Sequence, residues 1–66
     1  MISYDPLKVS LKELNRNLNE MRLQGNLNSR TIARINRNES VNLSTIESIC
    51  LYFDLPIEKV VKITRE

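Results

Sequence analysis

The fold is decided by one stretch of the sequence, residues 21–35, which reads MRLQGNLNSRTIARI. Near its middle, Gly25 and Asn26 both tolerate a positive φ angle, so a tight turn is favoured there. Apolar residues recur at helical spacing on both sides of this turn. The pattern predicts two short helices, over residues 19–24 and 28–37. The side chains expected to point inward are Met21, Leu27, Ile32 and Ile35.

The second of these helices, with Asn28 as its expected N-cap, has two contrasting faces. Arg30, Arg34 and Arg37 follow at i, i+4 and i+7, which places them together on the side opposite the isoleucines. Like charges at this spacing oppose helix formation unless an anionic partner relieves their repulsion. These three arginines, here called the arginine ridge, therefore favour a polyanion as the partner. The alternative is a solvated helix face that carries no acids.

The charge of the chain is unevenly distributed, although its net value is only +2. Residues 21–38 contain four arginines and no acid, a local charge of +4, while the eight acids lie elsewhere with the other six bases and leave −2 there. A basic segment on a mildly acidic remainder is typical of proteins that bind phosphate. On charge alone, phosphate binding and an ordinary solvated face are equally supported.

A first helix is expected to begin at Asp5-Pro6, with Asp5 as the N-cap and Pro6 at the first helical position. Its apolar stripe consists of Leu7, Leu11, Leu14 and Leu18. We expect this helix to end within residues 15–17, because asparagine suits helix ends better than helix interiors. The alternative is one continuous helix through Gln24, since Met21 extends the same stripe.

A fourth helix is expected after the loop 38–41, with Asn42 or Ser44 as its cap and Ser44 and Glu47 as a capping box. Its inner face would consist of Leu43, Ile46, Ile49, Cys50 and Phe53. Residues 54–56 break this helix, and a fifth starts at Pro56 and frays over residues 64–66. Its inward residues would be Ile57, Val60 and Val61. The sequence thus predicts one all-α domain of five helices over residues 1–66.

The composition argues against catalysis, cofactors and metals. There is one cysteine, Cys50, and no histidine, so neither an internal disulfide nor a zinc site can form. The same lack removes Cys–His and Ser–His pairs, and no glycine-rich phosphate loop is present. No apolar run approaches membrane-spanning length, and the first residues do not resemble a signal peptide. We therefore expect a cytoplasmic protein that is not an enzyme and has no evident small-molecule ligand.

Residues 21–35 and 41–58, in this order and register, resemble the lambda-repressor-like, Xre/Cro-type helix-turn-helix domains. The nearest subgroup comprises very small bacterial and phage regulators that open with a similar Ser-Tyr-x-Pro-Leu, here residues 3–7. The chain departs from the pattern at position 16, where the family has an apolar residue and this sequence has Arg16. The resemblance implies a helix-turn-helix formed by the second and third helices.

The resemblance also implies which residues meet DNA. The helix over residues 28–37 would lie in the major groove of double-stranded DNA. Base contacts would be made by Ser29, Arg30 and Arg34. Backbone or base contacts would be made by Asn19, Asn28, Thr31, Arg37 and Asn38. A guanidinium group donates two parallel hydrogen bonds to guanine O6 and N7, so arginine suits these positions chemically.

The function that follows is sequence-specific DNA binding by a transcriptional regulator, with repression as the expected mode. A homodimer would use the domain itself, with Leu51 and Tyr52 beside the fifth helix at its interface. The alternative is a protein-interaction module on the same fold, similar to an antitoxin or anti-repressor, whose arginine ridge meets an acidic protein surface.

Overall fold

The computed structural model describes residues 1–65. Along these residues lie four α-helices, one 3₁₀ turn and a small antiparallel sheet. The helices are α1 (Asp5–Leu14), α2 (Asn19–Leu23), α3 (Ser29–Asn36) and α4 (Leu43–Phe53), and the 3₁₀ turn is Ile57–Lys59. The strands are β1 (Ile2–Ser3) and β2 (Lys62–Ile63), with Ile2 opposite Ile63 and Ser3 opposite Lys62. The two helices predicted around the turn of residues 24–28 are thus present as α2 and α3.

The predicted fifth helix, and with it the all-α description, is corrected by the structure. After Pro56 the chain makes only the 3₁₀ turn, and the β-branched segment beyond it becomes β2. This segment pairs with the start of the chain, where the Thr64 amide donates to the Met1 carbonyl at 2.7 Å. The predicted fraying at Thr64 is therefore wrong, and Glu66 lies outside the described residues.

The first helix begins differently from the prediction. Tyr4 is the N-cap residue, and Asp5 lies in the first turn, where its carboxylate favours the positive end of the helix dipole. The Asp5 amide donates to Ser3 Oγ at 3.2 Å, so the cap is provided from upstream. The helix ends at Leu14 with Asn15 in the left-handed region. The end predicted for this helix is thus confirmed, and the alternative of one helix through Gln24 is wrong.

One core joins the four α-helices with the residues next to β1 and the 3₁₀ turn. Its buried apolar residues are Tyr4, Leu7, Leu11, Met21, Ile35, Ile46, Ile49, Phe53 and Val60. Three residues predicted to point inward, Leu14, Leu43 and Ile57, are exposed instead. Each lies at the end of its helix or turn, beyond the neighbouring element that covers the rest of the stripe. The apolar periodicity therefore identified the buried faces but not where each face stops.

The start of α4 uses no capping box. Asn42 is the N-cap residue, one of the two expected, and its side chain makes no capping hydrogen bond. Ser44 lies inside the helix, where its carbonyl accepts a hydrogen bond from Ser48 Oγ at 3.1 Å. The predicted pairing of Ser44 with Glu47 is therefore wrong, because the helix begins two residues earlier than such a box requires.

All four α-helices end in the same way, on a residue with positive φ. These residues are Asn15 (57°), Gly25 (80°), Asn38 (56°) and Asp54 (56°). In each case the next amide folds back onto a carbonyl of the last turn: Arg16 to Leu11, Asn26 to Met21, Glu39 to Arg34 and Leu55 to Cys50, at 2.8–2.9 Å. This is the Schellman ending, which satisfies carbonyls that the helix leaves unpaired.

Replacing Gly25 by alanine is expected to destabilise the fold by about 1–2 kcal/mol, because an L-residue with a Cβ is strained at this φ. No heavy atom lies within 4 Å of where the new Cβ would stand, so the cost is purely one of backbone conformation. Gly25→Asn is the matched control and should cost less, since asparagine already occupies two of the four equivalent positions. Urea unfolding of the three proteins measures both values, and equal stability of wild type and Gly25→Ala would contradict the assignment.

Candidate nucleic-acid interface

The helix α3 is held at its start by the predicted cap. Asn28 has extended backbone angles, and its Oδ1 accepts a hydrogen bond from the Thr31 amide at 2.8 Å. Ser29 is the first helical residue and is exposed beside this cap. The predicted N-cap role of Asn28 is confirmed, whereas DNA contacts by Asn28 and Ser29 stay predictions.

The helix α3 has an apolar face and a cationic face. Ile35 is buried in the core and Ile32 is half-buried, whereas Arg30 and Arg34 are exposed. Within residues 1–65, neither guanidinium group of this arginine pair forms a salt bridge or a hydrogen bond. The outer face of α3 therefore presents two cations whose hydrogen-bond donors are uncommitted.

The third arginine of the ridge is partly neutralised. Arg37 follows the last residue of α3, and its Nε donates to Glu39 Oε2 at 2.8 Å. Both side chains stay in contact with solvent, with 62% and 46% of their surface exposed, so an exposed ion pair of this kind contributes little to stability. Arg37 is consequently a weaker anion ligand than the other two arginines in the free protein.

A polar cleft, here called the α3–α4 cleft, runs along one side of α3. It is lined by Arg30, Thr31, Arg34, Ser40, Val41, Asn42 and Thr45. Of these residues, those of α3 were predicted from the sequence to contact DNA, and Asn42 was predicted only as a helix cap. Ser40 and Thr45 were not predicted. Their only signal was the polar loop before α4, because their proximity to the arginines depends on how α4 packs. The cleft contains no carboxylate among its lining residues.

A second cleft, here called the α1–α3 cleft, lies on the other side of α3. Its floor is aliphatic and its rim is polar; it is lined by Leu7, Lys8, Leu11, Lys12, Arg16, Asn17, Leu18, Asn19, Ile32, Ile35 and Asn36. Sequence analysis expected Asn19 to contact phosphate and missed Lys8 and Lys12. Asn19 Oδ1 accepts a hydrogen bond from Arg22 Nε at 2.7 Å, which turns the donor group of the amide away from Arg22.

Arg16 occupies the position at which the resembled family has an apolar residue. Its guanidinium lies 4.8 Å from the ring centroid of Phe53 and 5.3 Å from that of Tyr52, so it covers the aromatic end of the core. The same group donates to Glu20 at 2.9 Å, and this hydrogen bond lowers the pKa of the Glu20 carboxyl. Arginine thus replaces an apolar contact at the corner between α1 and α2 by a cation–π contact.

Asn38 is engaged within the fold. It stands in the left-handed region after α3, and its Oδ1 accepts a hydrogen bond from the Tyr4 amide at 3.0 Å. The hydroxyl of Tyr4 donates to the Glu39 carbonyl at 2.7 Å. The predicted contact of Asn38 with a DNA backbone stays a prediction, and only its amide NH₂ remains to make it.

Thiol reactivity, metal binding and membrane insertion were also considered for the part of the chain that the structure describes. Burial raises the pKa of the Cys50 thiol, which disfavours the reactive thiolate. Across residues 1–65 no group of three potential metal ligands comes together. Within that same range no helix is long and apolar enough to cross a bilayer.

No protein-family model and no curated protein matches the sequence. Among solved structures, the fold is similar to that in the crystal structure of the transcriptional regulator VanUg, with a TM-score of 0.89 and 25% sequence identity. The similarity covers 98% of this chain and 87% of that chain. Nearly the whole fold is therefore shared with a transcriptional regulator.

Proposed function

We propose that this protein is a sequence-specific DNA-binding transcriptional regulator of the Xre/Cro-type helix-turn-helix class. The observation that carries the proposal is the pair of exposed, uncommitted guanidinium groups of Arg30 and Arg34 on one face of α3. An α-helix fits the major groove of B-DNA, and arginine is the side chain that most often reads guanine there. The fold shared with a transcriptional regulator supports the same function.

In this arrangement the outer face of α3 enters the major groove, with Arg30 and Arg34 on base edges. Ser29 and Thr31 flank these arginines at the start of the helix, where short hydroxyl side chains reach either bases or phosphates. A bidentate contact of one arginine with guanine discriminates by about 1–3 kcal/mol against a wrong base. Two such contacts provide sequence preference, and the remaining residues provide position.

The two clefts beside α3 suit the two phosphate strands that border a major groove. Thr31 and Arg34 face the α3–α4 cleft, whereas Ile32 and Asn36 face the α1–α3 cleft, so the clefts lie on opposite flanks of the helix. One offers hydroxyl and amide donors, and the other offers the ammonium groups of Lys8 and Lys12. Asn19, Asn28, Arg37 and Asn38 complete the proposed backbone contacts.

Repression and dimerisation are part of the proposal. Repression requires only that the bound domain exclude another protein from its site. Of the two residues predicted at the interface, Tyr52 is half-buried against the core, whereas Leu51 is 76% exposed. Leu43, which is 73% exposed, lies on the same stripe of α4, with Glu47 between the two leucines. Two exposed leucines on one stripe favour contact with a second copy. Two copies would then read half-sites about one helical turn, 34 Å, apart.

Selection of binding sites from random duplexes, followed by titration at several salt concentrations, tests the proposal. We expect one enriched sequence and an affinity that falls steeply with salt, because bound phosphates release counterions. An enriched palindrome would support the dimer. If no duplex binds at low salt, DNA binding is excluded and the protein-interaction module becomes the better hypothesis.

Replacing Glu39 by glutamine is expected to tighten duplex binding by up to about fivefold, since an exposed ion pair is worth at most about 1 kcal/mol. The substitution frees Arg37 for a phosphate, so the dependence of affinity on salt should also become steeper. Glu13→Gln is the matched control, because it removes the same charge from an exposed position on α1. An equal gain in both variants would mean that only net charge matters, and that Arg37 does not contact DNA.

A further inference from the structure

One residue outside the helix-turn-helix is bonded to the end of α3 at two points. The Tyr4 amide donates to Asn38 Oδ1 at 3.0 Å, and the Tyr4 hydroxyl donates to the Glu39 carbonyl at 2.7 Å. Tyr4 is buried, with 1% of its surface exposed, and both bonds are partly buried although Asn38 and Glu39 are exposed. We call this pair of hydrogen bonds the Tyr4 clasp.

The clasp acts on the residues that terminate α3. The Asn38 amide donates to the Ile35 carbonyl at 3.1 Å, and the Glu39 amide donates to the Arg34 carbonyl at 2.9 Å. Asn38, through its side chain, and Glu39, through its backbone, therefore link Tyr4 to the last turn of the helix. A shift of Tyr4 is transmitted through only two hydrogen bonds to the backbone of Arg34.

Tyr4 itself is firmly placed on the rest of the domain. It directly follows β1, which is paired with β2, and its carbonyl accepts the Lys8 amide at 3.1 Å in the first turn of α1. By contrast, α3 has eight residues and one fully buried side chain, Ile35. The clasp adds to this one buried side chain two hydrogen bonds beyond the C-terminal end of the short helix.

We propose that Tyr4 and Asn38 are positioning residues that set the angle of α3 for reading DNA bases. The inference rests on the proposed function and extends it to a residue that touches no base. Bidentate hydrogen bonds tolerate little angular error, whereas contacts with the mobile, repeating phosphate backbone tolerate more. Loss of the clasp should therefore reduce discrimination between sequences more than it reduces overall affinity.

The test compares Tyr4→Phe and Asn38→Gly with the wild type at a temperature where all are fully folded. Phenylalanine keeps the ring and removes the hydroxyl, while glycine keeps the left-handed backbone and removes the acceptor. The matched controls are Tyr52→Phe and Asn15→Gly, which make the same chemical changes away from α3. Dissociation constants are measured for the selected duplex and for a scrambled duplex of equal composition.

We expect each clasp variant to lower the ratio of specific to non-specific affinity about tenfold, with the controls unchanged. Tyr4→Phe should leave binding of the scrambled duplex unchanged, whereas Asn38→Gly should also weaken it slightly, because the Asn38 amide is a proposed phosphate contact. Amide NMR shifts of residues 30–37 in the free variants should move as well, which reports orientation without any DNA. If wild type discriminates and the clasp variants discriminate equally, or if those amides stay in place, the clasp has no positioning role. A wild type that shows no discrimination would instead contradict the proposed function itself, and with it any role in reading.

Discussion

Arg30→Ala and Arg34→Ala should each remove about 1–3 kcal/mol of the free energy that separates binding of the selected duplex from binding of other sequences. This loss corresponds to a roughly 5- to 150-fold lower preference for the selected duplex. The reason is that alanine has no hydrogen-bond donors, and no neighbouring side chain on α3 would replace the two hydrogen bonds from the guanidinium group to guanine. Both side chains are exposed and free of ion pairs within the described residues, so the fold should not change. Competition between selected and scrambled duplexes measures the ratio, and the double variant should select no sequence.

Lys62→Ala is the control for this pair, because it removes one positive charge from β2, away from both clefts beside α3. It should leave the preference intact. Thermal melting establishes that all variants are folded at the temperature of the assay. If both arginine variants recover the wild-type site from a random library, α3 is not the reading helix.

The largest expected effect on stability comes from Ile49→Ala, which should cost about 2–5 kcal/mol. Ile49 is 0% exposed in the middle of α4, so truncation removes buried methyl groups and leaves a cavity. A domain of this size is stable by only about 0.05–0.15 kcal/mol per residue, so this single change consumes much of the total. Urea unfolding measures the difference in the free energy of unfolding.

Leu51→Ala lies two residues further along α4 and is the natural control, since Leu51 is exposed. Its effect on the dilute monomer should lie within about 0.5 kcal/mol. Comparable losses in the two variants would contradict the assigned buried face of α4. A loss for Leu51→Ala that grows with protein concentration would instead place Leu51 in the interface between two copies.

Sequence reasoning identified the parts of the fold that have local signals. The turn at Gly25, the cap at Asn28 and the end of α1 near Asn15 each depend on residues close together in the chain, and the structure has all three. The end of the domain could not be read in this way. Residues 62–63 become a strand because they meet residues 2–3, a pairing across almost the full length of the chain that leaves no short-range pattern.

The residues of the candidate site likewise fall into two groups, those with a local signal in the sequence and those without one. Arg30 and Arg34 were found because helical spacing alone places them on one face. Lys8, Ser40 and Thr45 were missed because they reach α3 only through the packing of other helices. The pairing of Arg37 with Glu39 was also missed, although Glu39 lies only two residues away. The acid-free segment considered for charge was residues 21–38, which ends one residue before Glu39.

The pairing of β1 with β2 has a consequence for engineering. The Met1 amine donates a hydrogen bond to the Thr64 carbonyl at 2.6 Å, so in a variant that ends at residue 64 a few glycines would join β2 back to β1 in a covalent ring. Circularisation would shrink the ensemble of unfolded conformations and leave α3 untouched. The ring could then be reopened within the exposed segment 24–26, which would yield a permuted chain whose new ends lie in the turn between α2 and α3.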